Sequence, residues 1–389
     1  MERPPRILIS AGEASGDRLG AGLALALRRL RPEIDLLGMG GPQMAEAGVR
    51  LVQDASEVSV VGIVEVLSHL PAIRRAMAGL EACVERERPD LVVPIDFPDF
   101  NLELAARVRR AGVEVVYFVS PQLWAWRRGR IRLIRDRVRR MLVLFPFETE
   151  IYERAGVPVT FVGHPVVEGA DERPPRDELC RKAGLDPRRP ILAVMPGSRR
   201  GELVRHLPPM LDAVERLRGA HPELQVLLPL APGLSRDWVA EQAGCGTERG
   251  IRLHAGDWPE ILSVCEAGVV ASGTASLEAA VEGLPIVVVY KMSPLSYALG
   301  RTLVRLDDVA LPNLVAGRRI VPELIQRECS GERIAEALAR YLDRPGEAES
   351  VRRALGEVRS KLGGPGAFDR AASQLLRELP SPRPERQPG

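Results

Sequence analysis

The feature that most constrains this chain is a rhythm. Short, almost wholly apolar runs ending in glycine, serine or aspartate are each followed by a segment with apolar residues at helical spacing. "RILISAG" begins it, and after the loop "EASGD" the residues Leu19, Leu23, Leu27 and Leu30 recur at helical intervals. "DLLGMGG" comes next, then a helix over about 63–87, "DLVVPID", a helix around 102–110, and "EVVYFVS". A strand that is apolar along its whole length has both faces covered, and covered strands separated by helices pair in parallel. The alternation predicts an α/β fold with a doubly wound parallel sheet.

Near 169–190 the rhythm breaks into "GADERPPRDE" and "LDPRRP", whose prolines and charges mark a boundary. It restarts with "PILAVMPGS" and a stripe of Leu203, Leu207, Met210, Leu211, Val214 and Leu217, then runs through "LQVLLPLA", "IRLHAGD", "AGVVASG" and "PIVVVYKM". The 389 residues exceed one ordinary core. The expected organisation is one α/β domain over 1–168 and a second over 169–345. Helices over 346–379 should pack back toward the first domain, and 380–389 should form a disordered tail. A ligand is expected in a central cleft faced by two such Rossmann-like domains.

Composition removes several function classes. There are 54 basic and 52 acidic residues, a net charge of +2, so a protein living on nucleic acid is disfavoured and any basic patch is local. One such patch is "WAWRRGRIRLIRDRVRR", 124–140. Read as one helix, it turns Ile131, Ile134, Val138, Met141 and Leu142 inward and Arg128, Arg132, Arg135 and Arg139 to another face, which is either simply solvated or meets phosphates. The cysteines Cys83, Cys180, Cys245, Cys265 and Cys329 are scattered and never C-x-x-C, which argues against disulfides and zinc and for a reducing compartment. No signal peptide is legible, and no run reaches the roughly 18 apolar residues that span a bilayer.

Four loops stand where a strand gives way to a helix, the place where open α/β sheets bind ligands. "GEASGDRLG" has neither dinucleotide nor Walker spacing; it suits a polar ligand, or a tight turn capped by Ser15 or Asp17. "VVPIDFPDFN" puts Asp96 at a strand's carboxyl end, where burial can tune it as a general base, while Asp99 can cap the next helix. "MPGSRRGE" brings Gly197, Ser198, Arg199 and Arg200 to a helix N-terminus, an anion seat, although Ser198 with Glu202 also reads as a cap. "ASGTASLE" does the same with Ser272, Gly273 and Thr274, followed by Glu278 one turn in. Two anion-ready helix ends in one domain imply a nucleoside diphosphate. His164, in "FVGHP", lines the site or is a satisfied buried histidine.

Taken in order, "AGEASGD", "VVGIVEVL", "IDFPDFN", "SPQLWAW", "FVGHP", "PGSRRGE", "ASGTASLE" and "LPNLVAGR" resemble the lipid-A-disaccharide synthases of Gram-negative bacteria, over roughly 6–375. The resemblance implies a GT-B fold and an inverting glycosyltransferase that needs no metal and no cofactor. It implies condensation of UDP-2,3-diacylglucosamine with 2,3-diacylglucosamine 1-phosphate to a β-1',6 disaccharide and UDP. By the same token Asp96 is the base, and Ser198, Arg199, Ser272, Gly273 and Thr274 hold the diphosphate. Glu278 takes the ribose, Asn313 lies in the nucleotide pocket, and Glu13, Ser15 and Asp17 line the acceptor side. The roles of Arg200 and His164 stay open.

Acylated substrates imply a lipid-facing surface on the cytoplasmic side of the inner membrane. Val60, Val61, Ile63 and Val64 are candidates, in a segment equally readable as a buried helix, together with Trp124, Trp126, Arg128, Arg132 and Arg135. The implied partners are these substrates and membrane lipids, with no nucleic acid; a homodimer is left open. The neighbouring reading is another UDP-sugar enzyme of the same fold, an epimerase or a different glycosyltransferase.

Overall fold

The structure, a computed structural model, describes residues 3–58, 63–123, 129–170, 173–231, 233–244, 250–256, 258–292 and 308–380. The chain divides into two compact units, Met1–Pro165 with Gly364–Gly389, and Val166–Gly363.

The first unit alternates β1 (Arg6–Ala11), α1 (Ala14–Leu30), β2 (Asp35–Gly40), α2 (Pro42–Glu46), β3 (Arg50–Asp54), α3 (Ile63–Glu87), β4 (Leu91–Ile95), α4 (Pro98–Arg110) and β5 (Glu114–Phe118). It continues with α5 (Arg130–Arg137), β6 (Arg140–Val143), α6 (Pro146–Arg154) and β7 (Val159–Phe161). Among the described residues these strands form a seven-stranded sheet in the order β3-β2-β1-β4-β5-β6-β7, with every pair parallel. Successive side chains of β1 go to opposite faces, as a pleat demands. Leu8 joins the core under α3 and α4, while Ile7 and Ile9 join the core under α1. Pro94 lacks an N–H. The pairing of β4 with β5 lapses at Val93 and Pro94, resumes at Ile95 opposite Phe118, and the strand then ends.

The second unit runs α7 (Arg176–Ala183), β8 (Ile191–Met195), α8 (Arg200–Ala220), β9 (Gln225–Pro229), α9 (Arg236–Ala243), β10 (Ile251–His254), α10 (Trp258–Leu262), β11 (Ala267–Ala271) and α11 (Thr274–Val281). After β12 (Ile286–Tyr290) come α12 (Leu311–Ala316), β13 (Glu323–Ile325), α13 (Gly331–Asp343) and α14 (Pro345–Lys361). The described strands make a six-stranded parallel sheet in the order β10-β9-β8-β11-β12-β13. Leu192 and Val194 face α8 and α13; Ala193 and Met195 face the layer of α10 and α11.

Of the closing helices, α13 and α14 stay with the second unit, where Ile334, Leu338 and Tyr341 pack into the core of α8. Only α15 (Ala367–Glu378) returns to the first. Its Ala371, Ala372 and Leu375 are fully buried against the α1 layer, small side chains that let two helices approach closely. At its end Glu378, 8% exposed, accepts from Arg140 Nε at 2.6 Å and pairs with Arg139 Nε at 2.8 Å. Burial pushes the Glu378 carboxyl up, but Arg140, Gln374 and Arg139 together outweigh it and leave the pKa below its ordinary value.

The arginine-rich segment departs from the single helix read above. α5 stops at Arg137 and Val138 is extended (φ −122, ψ 127), so Met141 and Leu142 lie on strand β6 and Arg139 is spent on Glu378. A β-branched residue followed by a short apolar run satisfies a helical stripe and a strand equally well, and the open place beside β5 decides for the strand. Among the described residues no helix is long and apolar enough to cross a membrane.

Replacing Glu378 with alanine leaves two arginines without their shared buried carboxylate. We expect a loss of about 2 kcal/mol, between the values of exposed and buried pairs, and a melting temperature lower by about 4–8 °C for a unit of this size. An unchanged calorimetric melt would remove α15 from the determinants of stability.

Candidate active site

In each unit the strand order reverses at one place, and there the loops leaving two neighbouring strands diverge to opposite faces. In the first unit that place lies between β1 and β4, so Glu13, just past β1, and Asp96, just past β4, are neighbours at the carboxyl edge. The backbone here is unusual. Asp96 and Phe97 both have left-handed φ, +45° and +48°, and Val119 at the end of β5 has +68°. Such angles cost free energy in residues with a Cβ and persist only where surrounding contacts hold them.

Those contacts are visible. Tyr117 Oη donates to the Asp96 carbonyl at 2.5 Å, and Asn101 Nδ2 donates to the same carbonyl at 2.8 Å. Asn101 also reaches the carbonyls of Ser10 and Ile95, each at 3.2 Å, and accepts from Ser10 Oγ at 2.8 Å. All three clamping side chains are fully buried. The Phe97 ring lies over Gly12, where an added Cβ would fall 2.3 Å from it, so a side chain at this position would displace the ring. The Asp96 side chain is half-buried. Burial, aided by the charge of Glu13 and opposed by a backbone hydrogen bond from Phe97, raises its pKa to about 6. It is a carboxylate that still ionises at neutral pH yet is basic enough to accept a proton.

The remaining residues of this loop divide. Ser15 is exposed on the first turn of α1. Asp17 is 3% exposed, and its carboxylate accepts from Gly41, Gln43 and Met44 N–H at 2.7, 3.0 and 3.0 Å. Expected on the acceptor side, it instead caps α2, a partner too distant in sequence for local reading to find. His164 is buried with its ring tilted on Phe145 at 5.2 Å. Burial, then the charge of Arg18, lowers its pKa to about 3, so it is a neutral core imidazole. Asp99 does not cap α4, whose N-cap is Phe97; it pairs with Arg130, the buried arginine of α5.

In the second unit the order reverses between β8 and β11, and the loops leaving these strands carry Ser198–Arg199 and Ser272–Gly273–Thr274. Gly197 has φ +119°, and Glu202 folds over it. The Glu202 carboxylate accepts from Ser198 N–H at 3.2 Å and from Arg199 Nη1 at 3.3 Å. A carboxylate thus sits on the donors expected to meet a phosphate. Arg200 stacks on Trp238, 5.0 Å from the ring centroid. Thr274 is exposed on the first turn of α11, whose leading N–H groups have no intrahelical acceptors. Ser272 Oγ donates to Val309 O at 2.9 Å, and Glu278 is 6% exposed.

Asn313, expected in the nucleotide pocket, is fully buried with its amide spent inside the unit. It accepts from Ile320 and Val321 N–H at 2.8 and 3.0 Å and donates to Val321 O at 3.0 Å and Glu323 Oε1 at 2.8 Å. Four bonds exhaust a carboxamide. Glu323 in turn accepts from Val309 and Ala310 N–H, at 2.9 and 3.0 Å.

Of the lipid-facing candidates, Val60, Val61, Trp124, Trp126 and Arg128 lie outside the described residues, as do the side chains of Ile63 and Val64. Arg132 and Arg135 are exposed on α5. Sequence reading passed over Asn101, Tyr117 and His206; the last lies on the apolar stripe of α8 with Leu203 and Met210, a signal that was there to be used.

Comparison with known proteins decides among sugar-nucleotide enzymes. A family model described as lipid-A-disaccharide synthetase matches residues 7–363. The chain belongs to that family. Relatives named lipid-A-disaccharide synthase include one of Geobacter sulfurreducens, 46% identical over 96% of this chain and 97% of its own. One of Myxococcus xanthus is 45% identical over 98% of this chain and 100% of its own. Among solved structures, a UDP-GlcNAc 2-epimerase of Neisseria meningitidis bound to UDP-GlcNAc aligns with a TM-score of 0.66 at 12% identity, over 96% of this chain and 100% of that one. The glycotransferase of kitacinnamycin aligns with a TM-score of 0.61 at 17% identity, over 97% of this chain and 100% of that one. These two share this chain's fold, two parallel-sheet Rossmann-like domains of the GT-B type.

With Asp96 as the candidate base, which must be ionised to act, kcat/KM should fall as pH drops through about 6. Glu13→Gln removes a negative charge that opposes Asp96 ionisation, and the acid limb should then move to lower pH. A pH–rate profile with the limb unmoved would show that another group sets it.

Proposed function

We propose that the chain carries out the reaction for which its family is named, joining UDP-2,3-diacylglucosamine to 2,3-diacylglucosamine 1-phosphate with inversion and release of UDP. Asp96 accepts the proton of the acceptor's 6-hydroxyl. The freed oxygen attacks the anomeric carbon of the donor from the face opposite UDP, the bond to the diphosphate oxygen breaks, and UDP departs. The single observation that carries this reading is the Asp96 carboxylate, held in a strained turn at the switch point of the first sheet, with its pKa raised to about 6.

The second unit supplies what the leaving group needs. Ser198 N–H, Arg199, Gly273 and Thr274 receive the diphosphate at the N-termini of α8 and α11, where helix dipoles and charge-assisted bonds stabilise developing negative charge. The diphosphate takes the place of the Glu202 carboxylate. Glu278 meets the ribose. Ser272 and Asn313 act by holding the backbone around 309–310 and 320–321. Glu13 and Ser15 face the acceptor. An epimerase would use similar nucleotide loops; relatives 45–46% identical and named as synthases favour transfer.

Acylated substrates place the reaction at the cytoplasmic face of the inner membrane. Arg132 and Arg135 stand exposed on α5 with Leu133, which is 38% exposed, a basic and apolar surface suited to anionic headgroups.

Incubation with both acylated glucosamines should release UDP and disaccharide in equal amounts, and Asp96→Ala should slow turnover by about 100-fold or more. No UDP from authentic substrates, or near-normal turnover by the variant, would defeat the assignment. Reversing charge with Arg132→Glu and Arg135→Glu should reduce co-sedimentation with anionic vesicles; equal partitioning would refute the membrane face.

A further inference from the structure

His206 is fully buried, on the inner stripe of α8, and its ring is tilted against Tyr290 at 5.8 Å. Both ring nitrogens are engaged with backbone. Nδ1 donates to the Pro196 carbonyl at 2.8 Å, and Nε2 accepts from Lys291 N–H at 2.9 Å. These partners assign the tautomer, because a carbonyl can only accept and a backbone N–H can only donate. The ring is a neutral imidazole protonated on Nδ1, with one donor and one acceptor on opposite sides of a rigid ring.

The two backbone groups belong to different loops. Pro196 precedes Gly197–Ser198–Arg199 at the end of β8, and Lys291 follows the end of β12. In the sheet β11 lies between these strands, so the histidine spans the loop that carries Ser272, Gly273 and Thr274. The Gln326 amide lies on the other side of the β12 loop; in the orientation that matches donors to acceptors, its nitrogen donates to the Met292 carbonyl and its oxygen accepts from Met292 N–H, each at 3.3 Å. One buried ring thus joins the outer two of three adjacent loops at the edge where the diphosphate is proposed to sit.

We infer that His206 is a positioning residue for nucleoside diphosphate binding, setting the distance between the Gly197–Arg199 loop and the loop after β12 without touching the ligand. This rests on the nucleotide role proposed above for the second unit. Removal of the ring takes the partner from the buried Pro196 carbonyl and from the Lys291 N–H, and lets both loops relax toward water.

The test is titration of the full-length chain with UDP, alongside KM values for the UDP-sugar and for the acceptor. His206→Met keeps the bulk and abolishes both hydrogen bonds; it should weaken UDP binding and raise the KM for UDP-sugar by about tenfold, leaving the acceptor KM unchanged. His206→Gln retains an acceptor for Lys291 and His206→Asn a donor for Pro196, and each should recover part of the affinity. A purely structural role would lower the melting temperature without altering UDP affinity in the folded protein, and that result overturns the inference. If the methionine variant does not fold, the other two decide: UDP affinity equal to that of the intact chain in both also overturns it. Failure of the intact chain to release UDP with authentic substrates would instead defeat the proposed reaction, while a change in UDP affinity at His206 would still stand.

Discussion

Parallel pairing is the constraint on which everything else depends. Two parallel neighbours cannot be joined by a tight turn; the chain must cross over, here through a helix, so every strand-to-helix loop emerges at the same edge of the sheet. Helices on both faces require the winding to reverse once, and at that point two neighbouring loops part and leave room. In the first unit the reversal sets Glu13 beside Asp96, and in the second it sets Ser198–Arg199 beside Gly273–Thr274. The candidate site residues gather at these edges because the topology brings their loops there.

Loops at an uncovered edge are not rigid by themselves. Three buried polar groups stiffen them, each acting on backbone. Asn101, with Ser10 and Tyr117, holds the Asp96 carbonyl in a turn that free aspartate avoids. Asn313 and Glu323 hold the segments around 309–310 and 320–321. His206 ties Pro196 to Lys291. In each case a polar side chain in the interior is tolerated because its donors and acceptors are matched, and the matching converts burial into a fixed loop shape.

How much was legible follows from what kind of signal each feature carries. Central strands such as β1, β4, β8, β11 and β12 are buried on both faces and read as unbroken apolar runs. The edge strands β3, β7 and β13 are short and half-covered, so no apolar run marks them, and β6 was absorbed into a helical stripe read through Leu142, although the helix ends at Arg137. The placement of Asp96, Ser198 and Arg199 in loops that leave strands was legible because residue type and strand end are local signals. The hydrogen bonds of Asp17 and Asn313 were not legible, because their partners, Gly41 to Met44 and Ile320 to Glu323, become neighbours only on folding.

By itself, then, the sequence determined the α/β class, the two rounds of winding, the strand-to-helix loops and, through its ordered motifs, the family. All of these rest on local period and residue type, which need no neighbour distant in the chain. Only the tertiary structure decided which polar residues are free to meet a ligand and which are spent on the frame, that Glu13 and burial together lift Asp96 to a pKa of about 6, and that α15 alone of the last helices returns to the first sheet. Those outcomes depend on distance, burial and hydrogen-bond partners, quantities that exist only once the chain has closed on itself.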